Sequence, residues 1–268
     1  MKSVSAARKM VESAIMLAVA TILSMIRLAH LPYGGSVTVA SMLPVIIIAY
    51  RHGMKWGLLT GLVYGIIQQL LGLDTLSWVT TWQSILAVIL LDYVVAFAVT
   101  GFGGVFRGKM GQASALASGA LLVGILRYVC HVISGATVWA GLSIPTRAAL
   151  FYSLGYNATY MVPETIVTML IGYYLGSVLD FRKERLSVNR SGVSEMPVLK
   201  WAAGLVIAAG LIFDTVSVFL NLQDPESGSF NIQGLSNVNW LTVGVVTFFV
   251  IIAAAVMFVL AERQQRKD

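Results

Sequence analysis

Arg127, His131, Trp139, Tyr152, Asn157 and Glu164 fall close together in a chain that is 57% hydrophobic and only 11% charged. In a bilayer each polar group costs free energy unless it is paired or faces a cavity. Such groups crowded into two consecutive apolar segments therefore point to a binding site. Aromatic faces, amide and imidazole hydrogen-bonding groups and a carboxylate together suit a polar, aromatic, cationic small molecule. Asp92 adds to this set. It follows the apolar run Ile85 to Leu91 and precedes Tyr93, and a carboxylate at that depth costs about 2.5–3.5 kcal/mol. It reads either as counter-ion to a cationic ligand or as the structural partner of Arg127.

His131 follows Arg127 by four residues and Gly135 follows His131 by four, so the three share a helix face. The glycine is expected to leave that face open beside the imidazole. Tyr152, Tyr156 and Tyr160 repeat at the same spacing, with Asn157 beside them and Pro163-Glu164 further along. A cation over an electron-rich ring gains about 0.5–2 kcal/mol, and Trp139 and Tyr152 are placed to offer such faces. No metal is expected, since the three histidines, His30, His52 and His131, lie in separate segments without HxxH or CxxC spacing. The single cysteine, Cys130, reads as a small buried hydrophobe. A Ser153–His131 pair lacks a GxSxG elbow and there is no Walker loop, so neither catalysis nor ATP binding by this chain is expected.

The elements that must position these residues are helices. Mean hydropathy is +0.82, and a soluble domain carries about 25% charged residues. Apolar segments lie near 10–29, 37–50, 56–73, 78–101, 113–134, 148–179, 199–221 and 239–261. A spanning helix needs about 20 such residues. The second segment is short, flanked by Pro32, Gly34 and Gly35 and interrupted by Pro44. Irregular backbone in a membrane needs covering protein, which places this segment beside the binding site. The basic start followed by Ala14 to Ile26 reads as a retained first helix.

With both termini cytoplasmic, all of the 18 Lys and Arg except Arg27, Arg127 and Arg147 fall in inside segments. The net charge of +6 is thus a topology signal, and nucleic acid is not an expected partner. The fold expected is all-α: a polytopic membrane bundle in the cell membrane with a six-helix core, residues 1–183, and two additional C-terminal transmembrane helices, 199–268. A cytoplasmic linker, 184–198, joins them. Asp224 and Glu226 mark the outward loop of the hairpin, and Asp214 marks a contact within it. The series Gly57-x-x-x-Gly61-x-x-x-Gly65 and Ala14-x-x-x-Ala18 are small-residue faces for close helix packing, the first within the bundle.

The first six segments resemble the thiamine-specific substrate-binding (S) component of energy-coupling factor transporters. The resemblance covers about residues 8–181. It rests on Glu12-x-Ala14-x-x-x-Ala18, Pro32-Tyr33-Gly34-Gly35-Ser36-Val37-Thr38, Asp92-Tyr93-x-x-Ala96-Phe97 with Gly101-x-x-Gly104-x-Phe106, Arg127-Tyr128-x-x-His131-x-Ile133-Ser134-Gly135-x-x-x-Trp139, and Tyr152-Ser153-Leu154-x-Tyr156-Asn157-x-x-Tyr160-Met161-x-Pro163-Glu164. It implies a vitamin-binding subunit without catalytic activity or cofactor, open to the outside under a loop acting as a lid, in which Tyr33 is the available aromatic. Its partners would be thiamine, a transmembrane coupling subunit and two cytoplasmic ATPases. By the same resemblance Ala14 and Ala18 face the coupling subunit. Asp92, His131, Trp139, Tyr152 and Asn157 fall at the family's pocket positions, with Tyr93, Gly135 and Glu164 beside them. The resemblance does not extend to residues 184–268.

Three alternatives stay open on the residues: an S component for another vitamin or a thiamine precursor, an ion-coupled solo transporter using Glu164, Asp92 and His131 as a proton relay, and an intramembrane enzyme. The first is separated by ligands lacking the thiazolium. The second is separated by uptake without a partner, and the lack of an internal repeat argues against it. The third lacks a metal or nucleophile set.

Overall fold

A computed structural model describes residues 5–31, 34–79, 81–138, 146–188, 198–222 and 232–265. The chain divides into two compact units, Met1–Ser187 and Val188–Asp268. The first contains α1 (Ala6–Met25), a short antiparallel pair β1 (Arg27–His30) and β2 (Ser36–Thr38), α2 (Leu43–His52), α3 (Met54–Leu71), α4 (Trp82–Gly104), α5 (Gln112–Thr137) and α6 (Arg147–Val178). The second contains α7 (Val198–Asn221) and α8 (Trp240–Gln265). The protein is therefore an all-helical membrane bundle, as its hydropathy requires. Among the described residues, α4, α5, most of α6, α7 and most of α8 are long and apolar enough to cross a membrane.

Helix ends follow local chemistry. Ser5, Thr81 and Thr146 cap α1, α4 and α6 by accepting from the amides of Arg8, Ser84 and Ala149. Pro44 sits in the first turn of α2, where its missing N–H costs nothing, and Gly53 ends that helix with φ of 94°. Every residue of α2 from Leu43 to Tyr50 is buried. This ten-residue helix cannot span a bilayer, and it persists because neighbouring helices enclose it.

α4 is not one regular helix. Trp82–Val88 is α-helical, Ile89–Val95 is a π-turn, Ala96–Ala98 returns to α and Val99–Gly104 tightens to 3-10 geometry. The tight end packs backbone to backbone on α3. A Cβ on Gly101 would lie 2.6 Å from the carbonyl carbon of Gly57 and closer still to Leu58 N. The glycine stripe of α3 therefore packs inside the bundle. Lipid supplies no hydrophobic drive between helices, so close van der Waals contact is what holds them.

α1 docks on α3 through spaced polar links. Trp56 donates to Ser13 (2.9 Å), Tyr64 to the Ala20 carbonyl (3.1 Å) and Gln68 to Ser24 (3.0 Å). The opposite face of α1, with Val11, Ala14, Ile15, Ala18, Val19 and Ile22, is exposed.

An ionic cluster ties three elements at the start of α1. The Glu12 carboxylate accepts from Arg8 Nε (2.9 Å), from Arg51 Nε and Nη2 (3.0 and 3.1 Å) and pairs with His52 Nε2 at 2.8 Å. Arg51 also donates to the Phe181 carbonyl at 2.7 Å, and Arg8 reaches Glu184. The Arg51 side chain is only 8% exposed. Glu12→Ala leaves that cation without its carboxylate and costs about 2–3 kcal/mol, the low end for a broken buried pair because Glu12 keeps some solvent. The expected result is a clear fall in melting temperature in detergent. An unchanged melting curve would mean that the carbonyls of Phe181 and Lys183 hold Arg51 alone.

Within the second unit, Thr247 Oγ1 meets Asp214 Oδ2 at 2.7 Å, and Gly210 on α7 lies against Val250 on α8. Asp214 is thus a cross-link inside the hairpin.

Candidate binding site

Helices α4, α5 and α6 and strand β2 bring the polar residues together. The π-turn of α4 carries Asp92 and Tyr93. Inserting one residue into a helical turn re-aims side chains, and such turns are frequent at functional sites. Asp92 faces α5: its Oδ1 lies 2.8 Å from His131 Nδ1, and its Oδ2 accepts from Ser134 Oγ at 2.6 Å. The carboxylate and imidazole side chains are 12% and 11% exposed.

A carboxylate can only accept, so in the neutral ring Nδ1 carries the proton and Nε2 is left as an acceptor. His131 Nε2 is buried with no hydrogen-bond partner among the described residues. An unfilled buried acceptor costs about 1–3 kcal/mol, and a ligand donor would relieve it.

The structure does not join Asp92 to Arg127 as its structural partner. The Arg127 guanidinium lies over the Phe97 ring, 4.3 Å from its centroid, and Nη1 contacts Met42 Sδ. Arg127 lies one turn from His131 along α5 and meets Phe97, five residues past Asp92 on α4, so the two sit at different levels of the α4–α5 contact, which their spacing in sequence does not reveal.

α6 presents an aromatic rail. Tyr152 and Tyr156 stack at 6.0 Å and 7°, Tyr156 meets Tyr160 edge-on at 5.7 Å, and Tyr160 meets the His131 ring at 6.1 Å. Asn157 is committed within the protein. Its Nδ2 donates to the Ser153 carbonyl (2.8 Å) and to the His131 carbonyl (3.3 Å), and its Oδ1 accepts from Tyr160 at 2.6 Å. It fixes His131 and Tyr160 in place.

Gly135 does not leave an open face. A Cβ there would collide with Ser153 Oγ, so the glycine admits α6 to close contact with α5. Ser153 donates to the Val132 carbonyl at 2.9 Å and forms no pair with His131. Tyr93 stacks on Phe97 at 6.4 Å and approaches Gly72.

Glu164, at 3% exposure, lies four residues beyond Tyr160 on the same face of α6. Its carboxylate accepts the Thr38 amide and the Thr38 hydroxyl, the latter at 2.7 Å. Above it, the Tyr156 hydroxyl accepts from Gly35 N at 3.0 Å. Trp139 and Tyr33 lie outside the described residues. Ser134, Thr38 and Gly35 were not singled out from sequence as site residues. All three stand within motifs of the family resemblance, and Ser134 also lies three residues after His131 on one helix face.

The chain has relatives among known proteins. The family model for thiamine transporter protein (Thia_YuaJ) matches residues 10–181. Thiamine transporter ThiT of Bacillus subtilis strain 168 is 35% identical over 175 residues, covering 61% of this chain and 87% of the relative. Thiamine transporter ThiT of Lacticaseibacillus paracasei is 26% identical over 141 residues, covering 48% of this chain and 68% of the relative. A solved structure of ThiT from Listeria monocytogenes superposes with a TM-score of 0.52 at 23% identity, over 63% of this chain and 92% of that one. It is similar in fold. The matched family region ends before α7 and α8.

Proposed function

The chain belongs to the thiamine transporter protein family, and from that premise we propose that it is a membrane-embedded, high-affinity thiamine-binding subunit of an energy-coupling factor uptake system. The observation that carries the proposal is the Asp92–His131–Ser134 cluster, where a carboxylate and an unfilled imidazole acceptor sit together beside an aromatic rail. Thiamine has a thiazolium with a fixed positive charge and an aminopyrimidine with donors and acceptors. The Asp92 carboxylate balances the charge. His131 Nε2 accepts from the pyrimidine amino group. Tyr152 and Trp139 offer ring faces, Tyr93 and Gly135 shape the wall, Asn157 orients His131, and Tyr33 belongs to the covering loop. Packed helices hold Asp92, His131, Tyr152 and Asn157 before the ligand arrives, which limits the entropy lost on binding.

The subunit binds and carries without catalysing a reaction. Both termini are cytoplasmic, which puts the Glu12 cluster on the inside and the 27–38 segment on the outside. The energy for uptake comes from a transmembrane coupling subunit with two cytoplasmic ATPases. The exposed Ala14–Ala18 face of α1 supports this assignment, since small residues admit a partner helix closely. Residues 1–183 form the binding domain, 184–198 a cytoplasmic linker and 199–268 an added hairpin.

Titration of the purified, detergent-solubilised chain with thiamine, followed by tryptophan fluorescence, tests the reading. Saturable quenching with a midpoint below about 1 μM, roughly −8 kcal/mol, is expected. A folded protein whose fluorescence stays flat up to millimolar thiamine would reject thiamine as the ligand.

A further inference from the structure

Segment 34–38 lies along the same face of α6 that carries Tyr156, Tyr160 and Glu164. Gly35 is seated against the two tyrosines: its N–H donates to the Tyr156 hydroxyl, and a Cβ on it would sit 2.8 Å from the Tyr160 ring. Thr38 is seated on Glu164, which uses one carboxylate oxygen for the Thr38 amide and the other for its hydroxyl. The bond network runs on, because Ser41 N donates to the same hydroxyl at 3.2 Å. Both Glu164 and Thr38 are buried, at 3% and 6% exposure. A carboxylate buried in a membrane helix is expensive, and this one gives both oxygens to Thr38 of β2, with the Ser41 side chain and the buried Arg127 guanidinium also close enough to act on it.

We infer that Glu164 is a positioning residue: its carboxylate latches β2 to α6 beside the binding site and so sets how slowly the ligand leaves. The inference rests on the thiamine reading for the identity of that ligand. The physical basis is that a hydrogen bond between buried groups contributes about 0.5–1.5 kcal/mol net, and leaving a buried partner unpaired costs about 1–3 kcal/mol. Two of them converge where the loop turns from β2 toward α2. Tyr160, one turn before Glu164, touches His131, so the latch and the polar cluster share one rigid rail. Opening the segment breaks the Thr38 bonds, and the rate of escape follows their strength. Entry to an already open protein does not depend on them.

The test compares Glu164→Leu, Glu164→Gln and Thr38→Val. Labelled thiamine is chased from each preformed complex, association is followed by fluorescence, and exchange of the Thr38 amide is read by mass spectrometry. In Glu164→Leu, Thr38 loses its protection and release speeds up by about ten- to hundredfold, while association is not slowed. Glutamine keeps an acceptor for the amide and a donor for the hydroxyl, so Glu164→Gln stays within about tenfold of the parent. Thr38→Val, which loses only the hydroxyl bond, falls between parent and Glu164→Leu. Release from Glu164→Leu at the parental rate would overturn the inference. So would equal loss of association in the leucine and glutamine variants, which marks a charge that touches the ligand. A parent that binds no thiamine rejects the thiamine reading and the part of the inference about release. Thr38 protection in Glu164→Leu then still decides whether the latch exists.

Discussion

Asp92→Ala lowers thiamine affinity by about hundredfold or more while the protein remains folded. Three losses combine. The fixed charge of the thiazolium loses its carboxylate, His131 loses the acceptor that sets its tautomer and orientation, and Ser134 loses its 2.6 Å acceptor. A hydrogen bond to a charged group contributes about 1.5–3 kcal/mol, and every 1.4 kcal/mol is tenfold in affinity. Asp92→Asn separates the terms. It keeps the shape and an acceptor oxygen for His131 Nδ1, with its NH2 donating to Ser134 Oγ, but removes the charge, so its affinity falls between parent and alanine. The companion measurement uses an analogue whose thiazolium is replaced by a neutral ring. If the charge is what Asp92 serves, this analogue binds parent and Asp92→Asn almost equally. Calorimetric titration that places Asp92→Ala within about threefold of the parent would dismiss the site.

Gly101→Leu abolishes the folded protein. Even one methyl at this position meets Leu58 N and the Gly57 carbonyl carbon of α3, and backbone cannot rotate aside as a side chain can. Overpacking that side-chain shifts can absorb costs about 1–3 kcal/mol. Here α3 and α4 must separate, which also lifts Gly61 from Phe97 and Thr100 and disturbs the π-turn that aims Asp92. The expected outcome is aggregated protein on size-exclusion chromatography in detergent, with no monodisperse fraction. Gly155→Ala is the control, because a Cβ there meets nothing within 4 Å. It lies inside α6 and is expected to fold normally, with about 0.5–1 kcal/mol gained from lower backbone freedom in the unfolded chain. A monodisperse Gly101→Leu protein that still binds thiamine would show that the close contact is not required.

The membrane class, the helical segments and the shortness of the second one were legible in the residues alone, because hydropathy is a local sum over about 20 positions. The glycine stripe of α3 was legible for a related reason: a spacing of four places residues on one face, and glycine on a face invites a neighbour. The crowding of polar groups into α5 and α6 was equally plain, since any such group in a membrane helix demands an explanation. The family resemblance draws on those residues together with motifs in α1, in segment 32–38 and in α4.

The pairing of those groups was hidden in the sequence. The sequence offers Arg127 as the structural partner of Asp92, and the structure gives that place to His131 and Ser134 across the α4–α5 contact. Glu164, grouped with the ligand residues, holds Thr38 on β2. Gly135, read as leaving a face open, admits Ser153. In each case the spacing along one helix gives the face a residue occupies, but a partner on another helix depends on relative depth and rotation. Those are set by how the helices pack, and at α4 by a π-turn that shifts every later side chain relative to a regular helix. Local sequence determines what each segment must bury, and the packed bundle alone decides which groups meet.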